Sequence, residues 1–171
     1  RAKEVISAAL TEVGHLDYAF IRLDRPVPES VAVPLKFRRK PLGVGEEIGM
    51  IGHPEGLPQI GNISETCVDR RNGDLVVTTS NFQCDIRVKK VDGLTAKANL
   101  DAFGGSSGSP VFDMNGLVVG ILVAGPSSDY EMEIFDGICM RSVPFGDIDG
   151  YSDIISLVNQ FKAALPKCSA K

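Results

Sequence analysis

Short apolar runs, separated by turns rich in glycine, proline and asparagine, recur along most of the chain. Runs of this length that contain β-branched residues favour strands. Asn72-Gly73 and Met114-Asn115-Gly116 favour hairpin turns, because such residues tolerate positive φ. The pattern therefore predicts a mostly β protein. The predicted strands are Glu4–Val13, Tyr18–Leu23, Val33–Phe37, Glu47–Gly52, Ile63–Arg70, Leu75–Ser80, Leu94–Leu100, Pro110–Phe112, Leu117–Val123 and Gly137–Val143.

One segment near the C-terminus departs from the β pattern. Between Ser152, a good N-cap residue, and Pro166, which cannot continue a helix, apolar residues recur at helical spacing. We therefore predict an α-helix and tail over residues 151–171. The apolar residues concerned are Ile154, Ile155, Leu157, Val158, Phe161 and Leu165.

The size and composition of the chain limit its function class. Its 171 residues suit one domain or two small barrels, and 43% hydrophobic with 23% charged residues is typical of globular proteins. A net charge of -4 argues against nucleic acid as a partner. No apolar run is long enough to span a membrane. The absence of an initiator Met predicts that Arg1 is an internal or processed start.

The four cysteines do not indicate a zinc site, because they lack CxxC spacing and companion histidines. Two disulfides in an exported protein and free buried thiols both remain open. Among disulfides, Cys67 with Cys84 is favoured, since the two flank a predicted turn. The other cysteines are Cys139 and Cys168.

The segment Gly104–Pro110, with the sequence Gly-Gly-Ser-Ser-Gly-Ser-Pro, places a serine on a glycine-rich turn before an apolar strand. Such a turn lets a substrate carbonyl approach and leaves backbone N–H groups to bind an anion. The segment resembles the nucleophile turn of chymotrypsin-like serine proteases, in particular their bacterial trypsin-like branch. The resemblance implies a double β-barrel, with Ser107 as the nucleophile and the N–H groups of Gly105 and Ser107 as the oxyanion hole. An α/β-hydrolase is excluded, because the nucleophile motif of that fold, Gly-x-Ser-x-Gly, ends in a glycine where this chain has Ser109.

A serine nucleophile needs a base, and the base needs a carboxylate that orients it. Asp17–Leu23 resembles the family's Asp-x-Ala-Leu-x-x-Leu segment, which implies that Asp17 is this carboxylate; a turn aspartate at a strand start is the alternative. No base is evident. His15 is too close to Asp17 in sequence, and His53 lies in a Gly-His-Pro segment that is structural in the relatives.

The strands before Asp17 are also too few for a whole first barrel. We therefore expect the histidine on a segment outside this chain, which continues the polypeptide or associates with it as a separate fragment. The predicted organisation is residues 1–40 as the remainder of the first barrel and the crossover, 41–150 as the second barrel, and 151–171 as the helix and tail.

The resemblance also implies substrate contacts. Asp101 stands six residues before Ser107. Trypsin-like enzymes have, at this spacing before the nucleophile, the carboxylate that binds an Arg or Lys side chain of the substrate, which implies this role for Asp101. The alternative is that Asp101 only supports the turn. Digestive relatives place Asp where this chain has Ser106, so activation by pairing with a new N-terminus is not expected. An extended peptide is expected to bind along the strand end that forms the opposite wall. That wall is Leu122, Val123, Ala124 and Gly125.

The sequence thus predicts a serine endopeptidase domain that acts on polypeptides and needs no metal or organic cofactor. The isolated chain is expected to be nearly inactive without its histidine. The alternative is a protease-like domain that only binds or scaffolds. Family resemblance favours an extracellular or periplasmic location.

Overall fold

The computed structural model describes residues 1–11, 17–54, 59–63, 86–100, 102–125, 130–134, 138–142 and 153–157. Within these ranges the chain forms eleven strands and no α-helix, which confirms the predicted mostly β class. No helix in the same ranges is long and apolar enough to cross a membrane. The strands are β1 Ala2–Leu10, β2 Asp17–Leu23, β3 Ile48–Gly52, β4 Ile60–Ile63, β5 Val88–Asp92, β6 Thr95–Ala98, β7 Pro110–Asp113, β8 Val118–Ala124, β9 Tyr130–Ile134, β10 Ile138–Ser142 and β11 Asp153–Leu157.

Seven of the strands form one antiparallel sheet in the order β4-β3-β7-β8-β11-β6-β5. Strand β7, which follows the predicted nucleophile, lies between β3 and β8. Strand β11 lies between β8 and β6, although it is the last of the described strands in chain order. The remaining strands pair as two hairpins, β1 with β2 and β9 with β10. The residues just before β7 therefore lie between the end of β3 and the end of β8.

One apolar core supports this sheet. Alternate residues of its strands point inward, as a sheet with one buried face requires. The largest of them are completely or almost completely buried, which fixes the register of β3, β5, β7 and β11. These residues are Ile48, Ile86, Val88, Leu100, Val111 and Ile155.

The β1–β2 hairpin packs on the sheet through one face of β2. Tyr18 and Phe20 lie against Val118, together with Phe112 and Ile121 of the adjoining strands. The two hairpin rings are 5.6 Å apart between centroids and tilted by 59°. The hairpin therefore contacts the two strands that follow the predicted nucleophile.

The predicted hairpin turn between β7 and β8 is confirmed. The Asp113 carboxylate accepts hydrogen bonds from the N–H groups of Asn115 and Leu117 at 2.9 and 3.0 Å. Gly116 has a φ of +73°, which its lack of a side chain allows. This turn is fixed by its own sequence.

An ion-pair network joins Arg38 to Glu46 and to Asp113, the last residue of β7. Arg38 donates two hydrogen bonds to the Glu46 carboxylate, at 2.6 and 3.0 Å, and its guanidinium lies 3.6 Å from Asp113. Glu46 also accepts a 2.7 Å hydrogen bond from the N–H of Gly43. The hydrogen bond from Arg38 lowers the pKa of Glu46 below its ordinary value of 4.5, against the opposing effect of partial burial. The same contact raises the pKa of Arg38.

A pH-dependent loss of stability follows from this network. Because the pKa of Glu46 is lower in the folded than in the unfolded chain, its stabilising effect is complete above pH 4.5 and lost as the pH falls through the folded value. We expect Glu46→Gln to lower the free energy of unfolding by about 0.5–1 kcal/mol at pH 7, since the half-exposed pair is screened by solvent. Urea titrations from pH 7 to pH 3 should show this difference shrinking at acid pH.

The matched control is Glu4→Gln, which removes a more exposed ion pair. The Glu4–Arg22 ion pair is 2.8 Å long, and both side chains are more than half exposed. Its loss should cost less than about 0.5 kcal/mol. Equal costs for the two variants at every pH would contradict a structural role for the Arg38 network.

The structure corrects two of the predicted elements. The helix predicted from Ser152 is wrong over Asp153–Leu157, which is strand β11; the rest of that prediction lies outside the described residues. The cause is tertiary: β11 hydrogen-bonds to both β6 and β8, and Ile155 and Leu157 alternate into the core. Val33–Phe37 is not a strand either, apart from a single bridge from Phe37 to Val118.

Strands β5 and β9 are not in the predicted set, and β4 overlaps the predicted strand Ile63–Arg70 only at Ile63. The rest of that predicted strand lies outside the described residues. The Asn72-Gly73 turn, the strand Leu75–Ser80, and Cys67 and Cys84 with their pairing lie outside the described residues.

Candidate active site

Two tight turns precede β7 and carry the predicted nucleophile. The N–H of Ser106 donates to the carbonyl of Phe103 at 3.1 Å, and the N–H of Ser109 donates to the carbonyl of Ser106 at 3.0 Å. Gly105 and Gly108 have φ angles of +85° and +88°, a region that other residues rarely adopt. The glycines predicted as turn residues are therefore required by this backbone, and we call residues 103–109 the serine turn.

The serine turn exposes one serine and buries its neighbour. Ser107 is exposed, whereas Ser106 is 1% exposed and its hydroxyl has no hydrogen-bond partner within the described part of the chain. The N–H groups of Gly105 and Ser107 also donate to no other described residue. An exposed hydroxyl and two backbone donors unengaged within the described residues thus lie on the same turn, an arrangement that acyl transfer through an oxyanion uses.

Two strand ends hold the serine turn in place. On one side, Leu122 of β8 accepts a 2.7 Å hydrogen bond from the N–H of Gly108 and donates one of 3.0 Å to the carbonyl of Ser109. On the other side lies Gly52, the last residue of β3. A Cβ at that position would lie 2.6 Å from the Ser109 hydroxyl oxygen and 3.3 Å from that of Ser106. A larger residue there would therefore have to displace the side chain of Ser109 and crowd that of Ser106.

A cleft of about 560 Å³ opens beside Ser107 on the β3 side. The serine turn forms one wall through Gly105 and Ser107–Ser109. The opposite surface is mixed, with apolar side chains and two polar groups at the rim. It consists of Leu35, Ile51, Gly52, His53, Gln59, Pro110 and Phe112.

The predicted carboxylate is not in this cleft. Asp17 begins β2, its side chain is exposed, and it is not among the residues that line the cleft. Strand alternation places it on the hairpin face opposite Tyr18 and Phe20, which pack on the sheet. A catalytic role for Asp17 stays a prediction.

The predicted substrate strand lies on the other side of the serine turn. The pairing of β7 with β8 begins at Pro110, which lies opposite Ile121. Val123 and Ala124 of β8 therefore extend beyond the first residue of β7. This leaves main-chain groups next to the turn for an added strand. The Leu122 side chain is only 3% exposed, and its backbone N–H and carbonyl are hydrogen-bonded to Ser109 and Gly108, so a substrate contact at Leu122 stays a prediction. Gly125 follows and is exposed.

Asp101, the predicted carboxylate for a basic substrate side chain, lies outside the described residues. His15, which we do not assign as the base, also lies outside them. The specificity assigned to Asp101 therefore stays a prediction.

Sequence reasoning missed the cleft wall. His53 was expected to be structural, yet it lines the same cleft as Ser107 and its side chain is exposed. Its position after β3 was a usable signal, since β3 was predicted correctly and polar residues at strand ends often line sites. Leu35 carried no such signal, because it lies in the proline-rich crossover.

The fold and the exposed serine turn define a trypsin-like peptidase domain. The model of this family, described as a trypsin-like peptidase domain, matches residues 1–121. The chain therefore belongs to the trypsin-like peptidase domain family, which confirms the predicted chymotrypsin-like fold class.

Two known proteins are similar to it. The mouse protein named serine protease FAM111A is 31% identical over an alignment of 146 positions that covers 75% of this chain. The chain spans only 24% of that relative's length. An inactive serine-to-alanine mutant of Rv3671c from M. tuberculosis H37Rv aligns over 95% of this chain and 62% of its own, at 15% identity and a TM-score of 0.49.

Proposed function

We propose that this chain is the nucleophile-bearing part of a serine endopeptidase domain that cleaves polypeptides through an acyl-enzyme on Ser107. One observation carries the proposal: Ser107 is exposed in a cleft, on a turn whose Gly105 and Ser107 N–H groups are unengaged within the described residues. Membership of the trypsin-like peptidase family supports it.

The chemistry follows from this arrangement. Ser107 Oγ attacks the substrate carbonyl carbon while a base takes its proton, and the carbonyl oxygen becomes an anion that accepts hydrogen bonds from the two N–H groups. Collapse of this intermediate breaks the C–N bond, and the base returns the proton to the departing amine. Water then hydrolyses the Ser107 ester by the same two steps.

The base in this proposal is a histidine on a segment outside these 171 residues, oriented by Asp17. The outward face of the β1–β2 hairpin supports such a segment, because it presents an apolar surface to solvent. Val5, Ile21 and Leu23 are 62%, 49% and 47% exposed there. A two-stranded sheet seldom persists with an uncovered apolar face, and a further strand is the usual cover.

Acyl-enzyme formation can be tested with a fluorophosphonate probe. We expect the full-length gene product to be labelled on Ser107 and to hydrolyse a peptide ester, whereas the isolated chain reacts at least about 10³-fold more slowly, since loss of one triad member removes most of the rate enhancement.

Two outcomes would contradict parts of this proposal. If neither protein is labelled while peptides still bind, the domain binds without cleaving. If the isolated chain is labelled rapidly and His53→Ala abolishes the reaction, the base is His53 and no external histidine is needed. Peptide mapping of the adduct separates these cases.

A further inference from the structure

We infer that a second cleft, at the opposite end of β7 from the serine turn, binds an acidic peptide segment that carries an apolar side chain beside its carboxylates. This cleft, which we call the basic cleft, has a volume of about 530 Å³ and shares no lining residue with the cleft beside Ser107. The inference does not depend on the proposed function. The lining residues are Phe37, Arg38, Arg39, Lys40, Glu46, Asp113, Asn115 and Leu117.

Basic residues are concentrated on one wall of this cleft. Four of the five residues 36–40 are Lys or Arg, although the net charge of the chain is -4. Three of them, Arg38, Arg39 and Lys40, line the cleft. Cations that face one concave surface attract anions, because their fields add at the same place. This wall is therefore suited to the carboxylates of a ligand.

The two carboxylates in the basic cleft are already engaged. Glu46 accepts two hydrogen bonds from Arg38 and one from the N–H of Gly43. The Asp113 carboxylate accepts two from the turn that follows it, and it lies 3.6 Å from the same guanidinium. Lys40, in contrast, forms no hydrogen bond or ion pair with any residue in the described part of the chain. With three cations against two carboxylates, the cleft keeps an excess positive charge at its exposed edge.

Hydrogen bonds hold the basic wall in place. The N–H of Arg38 donates to the carbonyl of Val118, and the N–H of Val118 donates to the carbonyl of Lys36, both at 2.9 Å. The Arg38 guanidinium also donates to the carbonyl of Pro41 at 3.1 Å. The two basic residues between these anchors are thus carried on a fixed backbone. A site that is fixed before binding loses less conformational entropy when its ligand binds.

The opposite wall supplies the apolar surface. It is the β7–β8 turn, which the Asp113 carboxylate fixes through the N–H groups of Asn115 and Leu117. Leu117 is half-buried, and Phe37 is 39% exposed although it lines a concave surface. Apolar groups there favour an apolar ligand side chain, since their contact removes both from water. An acidic peptide with an apolar residue therefore matches both walls.

The distribution of charge favours a peptide over a nucleic acid. Nucleic acids need a basic surface that follows several successive phosphates. In the basic cleft the cations lie on one short segment, and two carboxylates line the same surface. The net charge of -4 would repel a phosphate backbone over the rest of the chain. A short acidic peptide avoids both obstacles.

Fluorescence anisotropy tests the inference on the full-length protein carrying Ser107→Ala, so that binding is measured without cleavage. The probe is the labelled peptide Gly-Asp-Phe-Glu-Gly. Matched probes carry Asn and Gln in place of the two acids, or Gly in place of Phe. We expect saturable binding of the acidic probe, about tenfold weaker binding of the amide probe, and about fivefold weaker binding of the probe without Phe.

Charge-matched variants locate the site. Arg39→Gln combined with Lys40→Gln should weaken binding of the acidic probe about tenfold and remove its advantage over the amide probe. Lys89→Gln combined with Lys90→Gln removes two adjacent exposed cations that do not line the cleft, and should change the affinity by less than about twofold. Both double variants leave the Arg38 network intact.

Several outcomes would overturn the inference. They are absence of saturable binding, equal affinity for the acidic and amide probes, and equal losses in the two double variants. Tighter binding of a thymidine oligonucleotide that the Arg39 and Lys40 substitutions remove would also overturn it, because the cleft would then be a nucleic-acid site. Peptidase assays bear only on the proposed function, since the probe binds at residues separate from Ser107.

Discussion

Replacing Ser107 by alanine should abolish peptide-ester hydrolysis by the full-length protein, with a loss in kcat on the order of 10⁶-fold, as for other serine proteases that lose the nucleophile. The physical reason is that the acyl-enzyme requires the Ser107 oxygen, and no other residue can form that ester. Hydrolysis rates and covalent labelling by a fluorophosphonate measure the effect. Folding should be unaffected, because the Ser107 side chain is exposed.

Ser109→Ala is the companion variant, since Ser109 lines the same cleft two residues further on. The probe should still attach at position 107 in that variant, and mass spectrometry of the labelled peptide identifies the site. Adduct formation at Ser109, or retention of hydrolysis in Ser107→Ala, would show that the wrong serine has been assigned.

Ser106→Asp should be the most destabilising single change in the serine turn, at a cost of about 3 kcal/mol or more. Ser106 is 1% exposed, and its hydroxyl finds no partner within the described residues. A carboxylate there would be desolvated without a compensating cation. Urea denaturation measures the loss.

Two controls make this result specific. Ser107→Asp introduces the same charge one residue later at an exposed position, and should change the free energy of unfolding by less than about 0.5 kcal/mol. Ser106→Ala removes the unpartnered hydroxyl, and should be neutral or stabilising by up to about 1 kcal/mol. A Ser106→Asp variant as stable as the wild type would mean that a cation reaches the site, as the N-terminal ammonium does in the digestive relatives.

The elements that the sequence predicts correctly are those whose signals are local. The β7–β8 turn follows from Met114-Asn115-Gly116, and the serine turn follows from glycines that must adopt positive φ. Strand β11 is the opposite case. Ile154, Ile155 and Leu157 suit a helix face as well as a strand, and only pairing with β6 and β8 decides between them.

The candidate site divides in the same way. Ser107 and Gly105 could be predicted, because their chemistry is encoded in seven consecutive residues. The cleft wall could not, since Leu35, His53 and Gln59 come from three separate segments that only the folded sheet brings together. Asp17 is intermediate: its strand is predicted correctly, but the residues described here do not bring its carboxylate to Ser107.

The position of β11 has a consequence for biosynthesis. Because this strand fills the gap between β8 and β6, the central sheet cannot close until residue 157 has left the ribosome. Until then the nascent chain presents two unpaired strand edges, which chaperones or other chains can occupy. Such long-range pairing slows folding. Under the proposed function, peptidase activity should therefore appear only after residue 157 has been synthesised.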